Sequence, residues 1–280
     1  MALASIFAGS FLAAWQGNFR WEILLLAALT TIFLQILSNL SNDYGDTVHG
    51  ADSAERTGPV RAVQSGMISL AEMKRAMYLF GFLSLFSGLL LVYLSVQDWK
   101  LFALFLGLGF AAIWAAISYT SGSNPYGYAG LGDISVFLFF GLLGVLGTFF
   151  LHTLRFEPLT LWIGIALGLF STAVLNINNI RDIESDQKAG KKSIPVRIGR
   201  KAAVGYNWAL LVGGYLSLLV FAALSESNFS LAAFLVLPIM LRVGRGVQRA
   251  KSSAETDPFL KKMAISTLLW VILFGVGLLF

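Results

Sequence analysis

The chain has 280 residues, 57% of them apolar and only 12% charged, whereas soluble domains carry about 25% charged residues. That composition excludes an ordinary water-soluble domain and points to a bilayer. Cysteine is absent, which excludes disulfides, thiolate nucleophiles and zinc–thiolate sites. With two histidines, an imidazole-rich metal centre is disfavoured as well.

In chain order, nine apolar segments run near 1–15, 22–42, 76–96, 101–120, 131–151, 159–180, 202–224, 229–243 and 264–280. A spanning helix needs roughly 20 apolar residues, so the first and eighth are short. The first segment has no Lys or Arg before Arg20 and so lacks the basic start of a signal peptide. The pattern predicts an all-α, polytopic membrane bundle of about nine transmembrane helices, with residues 1–280 forming one integral-membrane domain. The glycines inside spans, such as Gly141, Gly144 and Gly147, read as sites of close helix approach.

The gaps between segments sort by charge. The stretches 43–75, 181–201 and 242–262 hold 17 of the 20 Lys and Arg, and Arg20, Lys100 and Arg155 are the rest. With nine spans, these basic stretches fall on one side. Lys and Arg concentrate on the cytoplasmic side, so that side is read as cytoplasmic, with the N-terminus there and the C-terminus opposite. The net charge of +5 is thereby explained by topology, without a nucleic-acid partner.

Two polar clusters lie on that basic side. The first follows the second segment: Asn42-Asp43-Tyr44-Gly45-Asp46, then Gly50-Ala51-Asp52. The second follows the sixth: Asn178-Asn179-Ile180-Arg181-Asp182, then Asp186. Residues four apart on a helix are rotated by about 40°, so Asn42 and Asp46 share a face, and so do Asn178, Asp182 and Asp186 on a continuous helix. A turn at Gly50 would bring Asp52 back toward Asp46. Carboxylates extending a helix from its C-terminal end face the negative end of the macrodipole, and something positive is expected between them. An oxygen-only donor set suits a hard cation such as Mg²⁺, which takes one or two carboxylates plus substrate phosphates. Either cluster alone also reads as solvated loop acids. Two matched clusters at equivalent helix ends favour a site for metal and diphosphate.

Basic groups flank both clusters: Arg56 and Arg61 after the first, and Lys191, Lys192 and Arg197 after the second. Arg and Lys bind phosphate oxygens, although a cytoplasmic loop is basic in any case. A third segment, Tyr119 to Asp133, is rich in Gly and Tyr and has no basic residue. It suits a tight loop contacting a flat ring, with Asp133 also placed to start the fifth segment. His49 and His152 read as surface histidines.

These residues resemble the UbiA superfamily of intramembrane prenyltransferases. Asn42, Asp46, Gly50 and Asp52 fit its first motif in the form N-x-x-x-D-x-x-x-G-x-D, and Asn178, Asp182, Asp186 and Gly190 fit its second. The stretches Arg56-Thr57-Gly58-Pro59-Val60-Arg61, Ser65-Gly66 and Tyr128 to Asp133 look like the branch that prenylates 1,4-dihydroxy-2-naphthoate in menaquinone or phylloquinone synthesis. The resemblance covers nearly the whole chain. It departs in two places. Relatives usually carry more sequence before the first span, and this branch often has Glu where Asp133 stands.

The resemblance implies a multi-pass enzyme of the bilayer that binds a polyprenyl diphosphate and an aromatic quinone precursor. Asn42, Asp46, Asp52, Asn178, Asp182 and Asp186 would hold Mg²⁺, with the four aspartates central to catalysis. Asn42, Arg56, Arg61, Asn178 and Lys191 would bind the diphosphate. Tyr119, Tyr128 and Asp133 would meet the acceptor, and Tyr44, Tyr119 and Tyr126 are placed to face an allylic cation. Another aromatic acceptor (4-hydroxybenzoate, homogentisate, a chlorophyllide or a haem) stays open. So does a cation transporter, although transporters place such clusters near the midplane. The D-G-x-x-A-R signature of alcohol phosphotransferases is missing.

Overall fold

The computed structural model describes residues 1–48, 68–225 and 227–280. The described part is helical, with no strand. Eight helices are long and apolar enough to cross a bilayer: α2 (Trp21–Val48), α3 (Leu70–Ser95), α4 (Trp99–Ser118), α5 (Gly132–Thr153), α6 (Thr160–Arg181), α8 (Ile194–Ser225), α9 (Asn228–Arg249) and α10 (Ser253–Leu278). The helix α1 (Ala2–Trp15) is apolar but shorter, and α7 (Ile183–Lys188) is a short helix between α6 and α8. The nine expected segments are all helical, and the protein is an integral, multi-pass membrane protein.

Burial differs between helices because they meet different neighbours. In α6, 67% of the apolar stretch is buried, against 6% in α4. The α6 core residues Ile163, Leu167, Phe170 and Ile177 pack with Leu218 and Phe221 of α8 and with Trp270 and Phe274 of α10. The Phe170 ring meets the Trp270 indole edge-on at 5.3 Å. On the far side, α2 exposes Trp21 and Leu25, α3 exposes Phe82, Phe86 and Tyr93, and α4 exposes Trp114. An outward apolar face of that size is unfavourable in water and natural in lipid.

Several boundaries differ from the hydropathy reading. The second segment extends as helix to Val48, so Asn42 and Asp46 ride on the helix itself. The fifth contains a π-helical stretch, Phe137–Leu143, and the eighth begins as a 3₁₀ helix, Asn228–Val236. In α8, Gly199 has φ of 77° and interrupts the helix, so the spanning stretch starts after it. Polar starts are capped: the Ser69 hydroxyl and Glu72 form a reciprocal capping box at α3, and Asp98 accepts from Lys100 and Leu101 at α4.

Gly141 meets the expectation of close approach. A Cβ there would lie 2.5 Å from Gly168 Cα and 2.6 Å from Gly164 O, so α5 and α6 touch backbone to backbone. Gly147 instead lines a cavity. His152 overturns its expectation as a surface residue, being buried. Its Nδ1 accepts from the Arg20 N–H at 3.1 Å, its Nε2 lies 2.9 Å from Ser10 Oγ, and its ring stacks on Phe19. Acceptance at Nδ1 places the proton of a neutral ring on Nε2, which then donates to Ser10. His152 therefore ties α5 to α1 and the following turn.

Candidate active site

The helices α2 and α6 both deliver polar residues to one end of the bundle. Close approach there depends on Gly45, whose missing side chain lets α2 lie against the Thr120 backbone. Thr120 Oγ1 donates to the Ser41 carbonyl at 2.9 Å and to Asn42 Oδ1 at 3.1 Å, and Ser121 Oγ donates to Ser41 O at 3.1 Å. The loop after α4 is thereby pinned to α2. Its other side is pinned to the turn after α7, where Lys192 N–H donates to Tyr128 O and Arg197 donates to Ala129 O and Lys192 O.

The second cluster does not lie on a continuous helix. The helix α6 ends at Arg181, and Asp182 is its C-cap with φ of −100° and ψ of 13°. Asp186 belongs to α7. The shared-face expectation fails at that break, yet Asn178, Asp182 and Asp186 still line the same pocket. The turn Lys191 N–H to Asp186 O, at 2.8 Å, brings the Lys191 side chain back over it.

The resulting polar pocket has a volume of about 330 Å³ and is lined by Asn42, Asp46, Tyr119, Tyr128, Asn178, Asp182, Asp186 and Lys191, among others. Lys191 Nζ lies 2.9 Å from Asp46 Oδ1 and 3.5 Å from Asp186 Oδ1. It therefore bridges the two sequence clusters. Tyr128 OH donates to Asp46 Oδ1 at 2.9 Å, and the Lys191 ammonium sits 4.9 Å from the Tyr128 ring centre. Burial, only partly offset by Lys191 and reinforced by the Asp182 and Asp46 charges, pushes the Asp186 carboxyl up to about 6. Burial, with the neighbouring Tyr126 and carboxylate charges behind it, also raises Tyr119, keeping the phenol protonated at neutral pH.

Asp182 has a different partner. The Arg181 guanidinium grips it through two bonds, Nε to Oδ1 at 2.7 Å and Nη2 to Oδ2 at 2.6 Å. The same guanidinium reaches Asn178 Oδ1 at 2.9 Å and, through Nη1, Asp257 at 2.6 Å in the first turn of α10. Ser253 Oγ donates to the Arg181 carbonyl at 2.7 Å. Sequence reading placed Arg181 with the basic loop residues and passed over Asp257. The one signal for Asp257 is that it and Glu255 are acids within a stretch, 242–262, that is otherwise basic in its charges.

Other expected residues fall elsewhere. Asp133 is buried, accepts from Tyr206 OH at 3.0 Å, and lines neither this pocket nor the cavity beside it. Its position reflects a structural pairing between α5 and α8. Tyr44 lines neither cavity, and Tyr126 lines only the apolar one. Asp52, Arg56 and Arg61, with His49, Gly50 and the stretches 56–61 and 65–66, lie outside the described residues.

Beside the polar pocket is an apolar cavity of about 390 Å³, walled by residues of α2, α3, α4 and α5. Gln35, Asn39, Asn42, Tyr119, Val136, Phe140 and Leu175 line both spaces, so the two adjoin. Together they offer a polar end lined by carboxylates and an apolar compartment beside it.

The donor set suits a hard cation. Asp46, Asp182 and Asp186 supply carboxylates, and an ammonium already sits between two of them. Ser171 Oγ and Ser193 Oγ also line the pocket, buried and without a hydrogen-bond partner among the described residues. Buried hydroxyls without partners mark a place for a polar ligand. Among the described residues no three carboxylates or imidazoles gather closely enough to enclose one ion. A hard cation such as Mg²⁺ takes one or two carboxylates and completes its shell with water and phosphate oxygens.

Residues 2–276 match the model of the UbiA prenyltransferase family. The chain belongs to the UbiA prenyltransferase family. It is 44% identical to the 1,4-dihydroxy-2-naphthoate octaprenyltransferase of Haemophilus influenzae, over 100% of this chain and 92% of that protein. It is 43% identical to the Escherichia coli protein of the same name, over 99% and 91%. Its fold is similar to that of a UbiA homolog from Archaeoglobus fulgidus bound to DMAPP and Mg²⁺, with a TM-score of 0.65 and 17% identity, over 99% of this chain and 95% of that one.

Proposed function

We propose that the protein is an Mg²⁺-dependent prenyltransferase that moves a polyprenyl group from its diphosphate to 1,4-dihydroxy-2-naphthoate. The observation that carries this reading is the junction itself. A pocket with three carboxylates and Lys191 opens onto an apolar cavity, which is the shape of an isoprenoid diphosphate. The names of the relatives at 44% and 43% identity support the acceptor.

In this reading the diphosphate lies among Lys191, Asn42, Asn178 and the Ser193 hydroxyl, and the resemblance adds Arg56 and Arg61 to its ligands. Asp46, Asp182 and Asp186, together with Asp52, hold Mg²⁺. Bound there, Mg²⁺ neutralises the diphosphate and stabilises the charge that it gains as the C–O bond breaks. The apolar walls exclude water from the allylic cation. Tyr119, at the junction of the two spaces, offers its ring face to that cation. The carboxyl-bearing ring carbon attacks, a C–C bond forms, and CO₂ leaves with its bonding pair returned to the ring. Carboxylate and allylic diphosphate become neutral product, CO₂ and free diphosphate, so no net proton is transferred and no general base is required. The basic loops favour the cytoplasmic side for this site.

The test is prenyl transfer in nanodiscs with a labelled polyprenyl diphosphate, with and without Mg²⁺. The acceptors are 1,4-dihydroxy-2-naphthoate and 4-hydroxybenzoate. Mg²⁺-dependent transfer to the naphthoate alone, abolished by Asp182→Ala, is the expected result. Turnover of the benzoate alone would overturn the acceptor. Transfer to neither would overturn the reading.

A further inference from the structure

Between the carboxylates and the apolar cavity, α2 carries polar side chains at a depth where hydrocarbon is expected. Thr31, Gln35, Ser38, Asn39, Asn42 and Asp46 fall within an arc of about 100° on the helix. Gln35 and Asn39 stand one turn apart, and Gln35 Nε2 donates to Asn39 Oδ1 at 3.3 Å. Neither amide makes another hydrogen bond among the described residues. An acceptor lone pair and N–H donors are therefore left over, and exchanging O and N in both amides leaves the same inventory.

A third group faces the same space. Ser171 Oγ on α6 is buried without a partner and lines the polar pocket together with Gln35 and Asn39. Gln35 precedes Asn42 by seven residues, as Ser171 precedes Asn178. Both helices run toward the carboxylates. At 1.5 Å per residue, Gln35 and Ser171 lie about 10 Å beneath the asparagines, at one depth.

The prenyl donor satisfies none of these groups. Its diphosphate belongs at the level of the carboxylates, and its tail is hydrocarbon without a donor or acceptor. A buried hydroxyl without a partner, as at Ser171, is costly unless a ligand meets it, and the two amides face the same open pocket space. We infer that Gln35, Asn39 and Ser171 form the recognition site for the acceptor ring, a flat aromatic bearing hydroxyl and carboxylate groups. A ring hydroxyl donates to the free amide oxygen, and ring oxygens accept from the remaining amide N–H groups and from Ser171. The two ring hydroxyls point to opposite sides of the reacting ring, so an acceptor lying across the pocket beneath the diphosphate turns one of them down toward this depth. The inference rests on the prenyl-transfer reading above.

The test uses the full chain in nanodiscs with Gln35→Leu, Asn39→Leu and Ser171→Ala. The amide variants are expected to raise the KM for the naphthoate about tenfold or more, because a site built to hydrogen-bond its ligand discriminates strongly when that bond is lost. The KM for the prenyl diphosphate and the half-saturating Mg²⁺ concentration stay within about twofold. A binding arm is independent of turnover: 1-hydroxy-2-naphthoate competes better than 2-naphthoate in the native protein, and the two compete alike in Asn39→Leu. Should Asn39→Leu fail to fold, the smaller Asn39→Ser carries the same test. Unchanged acceptor KM in all variants, or acceptor and donor KM shifting together, overturns the inference while leaving prenyl transfer intact. Absence of transfer by the native protein overturns the parent reading instead.

Discussion

The Lys191 ammonium lies 2.9 Å from Asp46 Oδ1, joining two residues 145 positions apart in the chain. Lys191 reaches Asp186 as well, so one cation holds together the acidic groups of both sequence clusters. Removing it leaves like charges facing each other in a partly dry pocket. For Lys191→Met we expect two opposite effects. Mg²⁺ alone binds more tightly, because its competitor for the carboxylates is gone. The kcat/KM for the prenyl diphosphate falls about tenfold or more, because a charge-assisted phosphate contact is lost. Calorimetry with Mg²⁺ and steady-state kinetics measure the two separately, and the same sign in both would contradict the assignment.

Arg181 divides its charge between Asp182 and Asp257. The Asp257 side chain is 44% exposed, so solvent screens its contribution, and the effect expected of it is modest. Asp257→Asn leaves the full guanidinium charge on Asp182, which then attracts a metal less. The half-saturating Mg²⁺ concentration should rise about threefold to tenfold, with kcat at saturating Mg²⁺ nearly unchanged. A fall in kcat with no change in Mg²⁺ dependence would show that Asp257 only supports the fold.

Protonation sets a lower pH limit on metal binding. With its carboxyl raised to about 6, Asp186 in the metal-free protein takes up a proton as pH falls through that value. A metal must then displace the proton. Mg²⁺ affinity should be nearly constant above pH 7 and fall by about tenfold per unit below pH 6. A titration across pH 5 to 7.5 tests this. In Asp186→Asn that dependence should flatten and the affinity at pH 7 should drop. A flat profile in the native protein would contradict it.

The crossing of α5 and α6 at Gly141 tests the packing. A Cβ there meets backbone atoms of Gly164 and Gly168, which have no flexible end to move aside. Gly141→Val should cost about 1–3 kcal/mol and lower the thermal midpoint in detergent. Gly147→Ala, whose Cβ meets only the Leu143 side chain at 3.6 Å, should be nearly neutral.

Much of this protein was legible from the chain alone, because a bilayer imposes a severe rule. Every span must satisfy its own backbone, so length and hydropathy mark Ala2–Trp15 through Ser253–Leu278 as helices before any packing is known. The N-x-x-x-D pairs were equally visible, since Asn and Asp are rare where hydrocarbon is expected. The local periodicity misjudged the second pair, because a cap at Asp182 depends on how α7 and the Lys191 turn fold back, and no spacing rule contains that. Partners were settled only in three dimensions. Lys191 belongs to Asp46 and Asp186, Arg181 to Asp182 and Asp257, Asp133 to Tyr206, and His152 to Ser10 and Arg20. Each of these pairs except Arg181 with Asp182 and Lys191 with Asp186 joins separate parts of the chain. Composition and pattern thus determined which residues must lie in the membrane and which charges were out of place there. The tertiary structure decided which opposite charges, amides and hydroxyls meet, because such contacts act only over a few ångströms and only packing brings the groups that close.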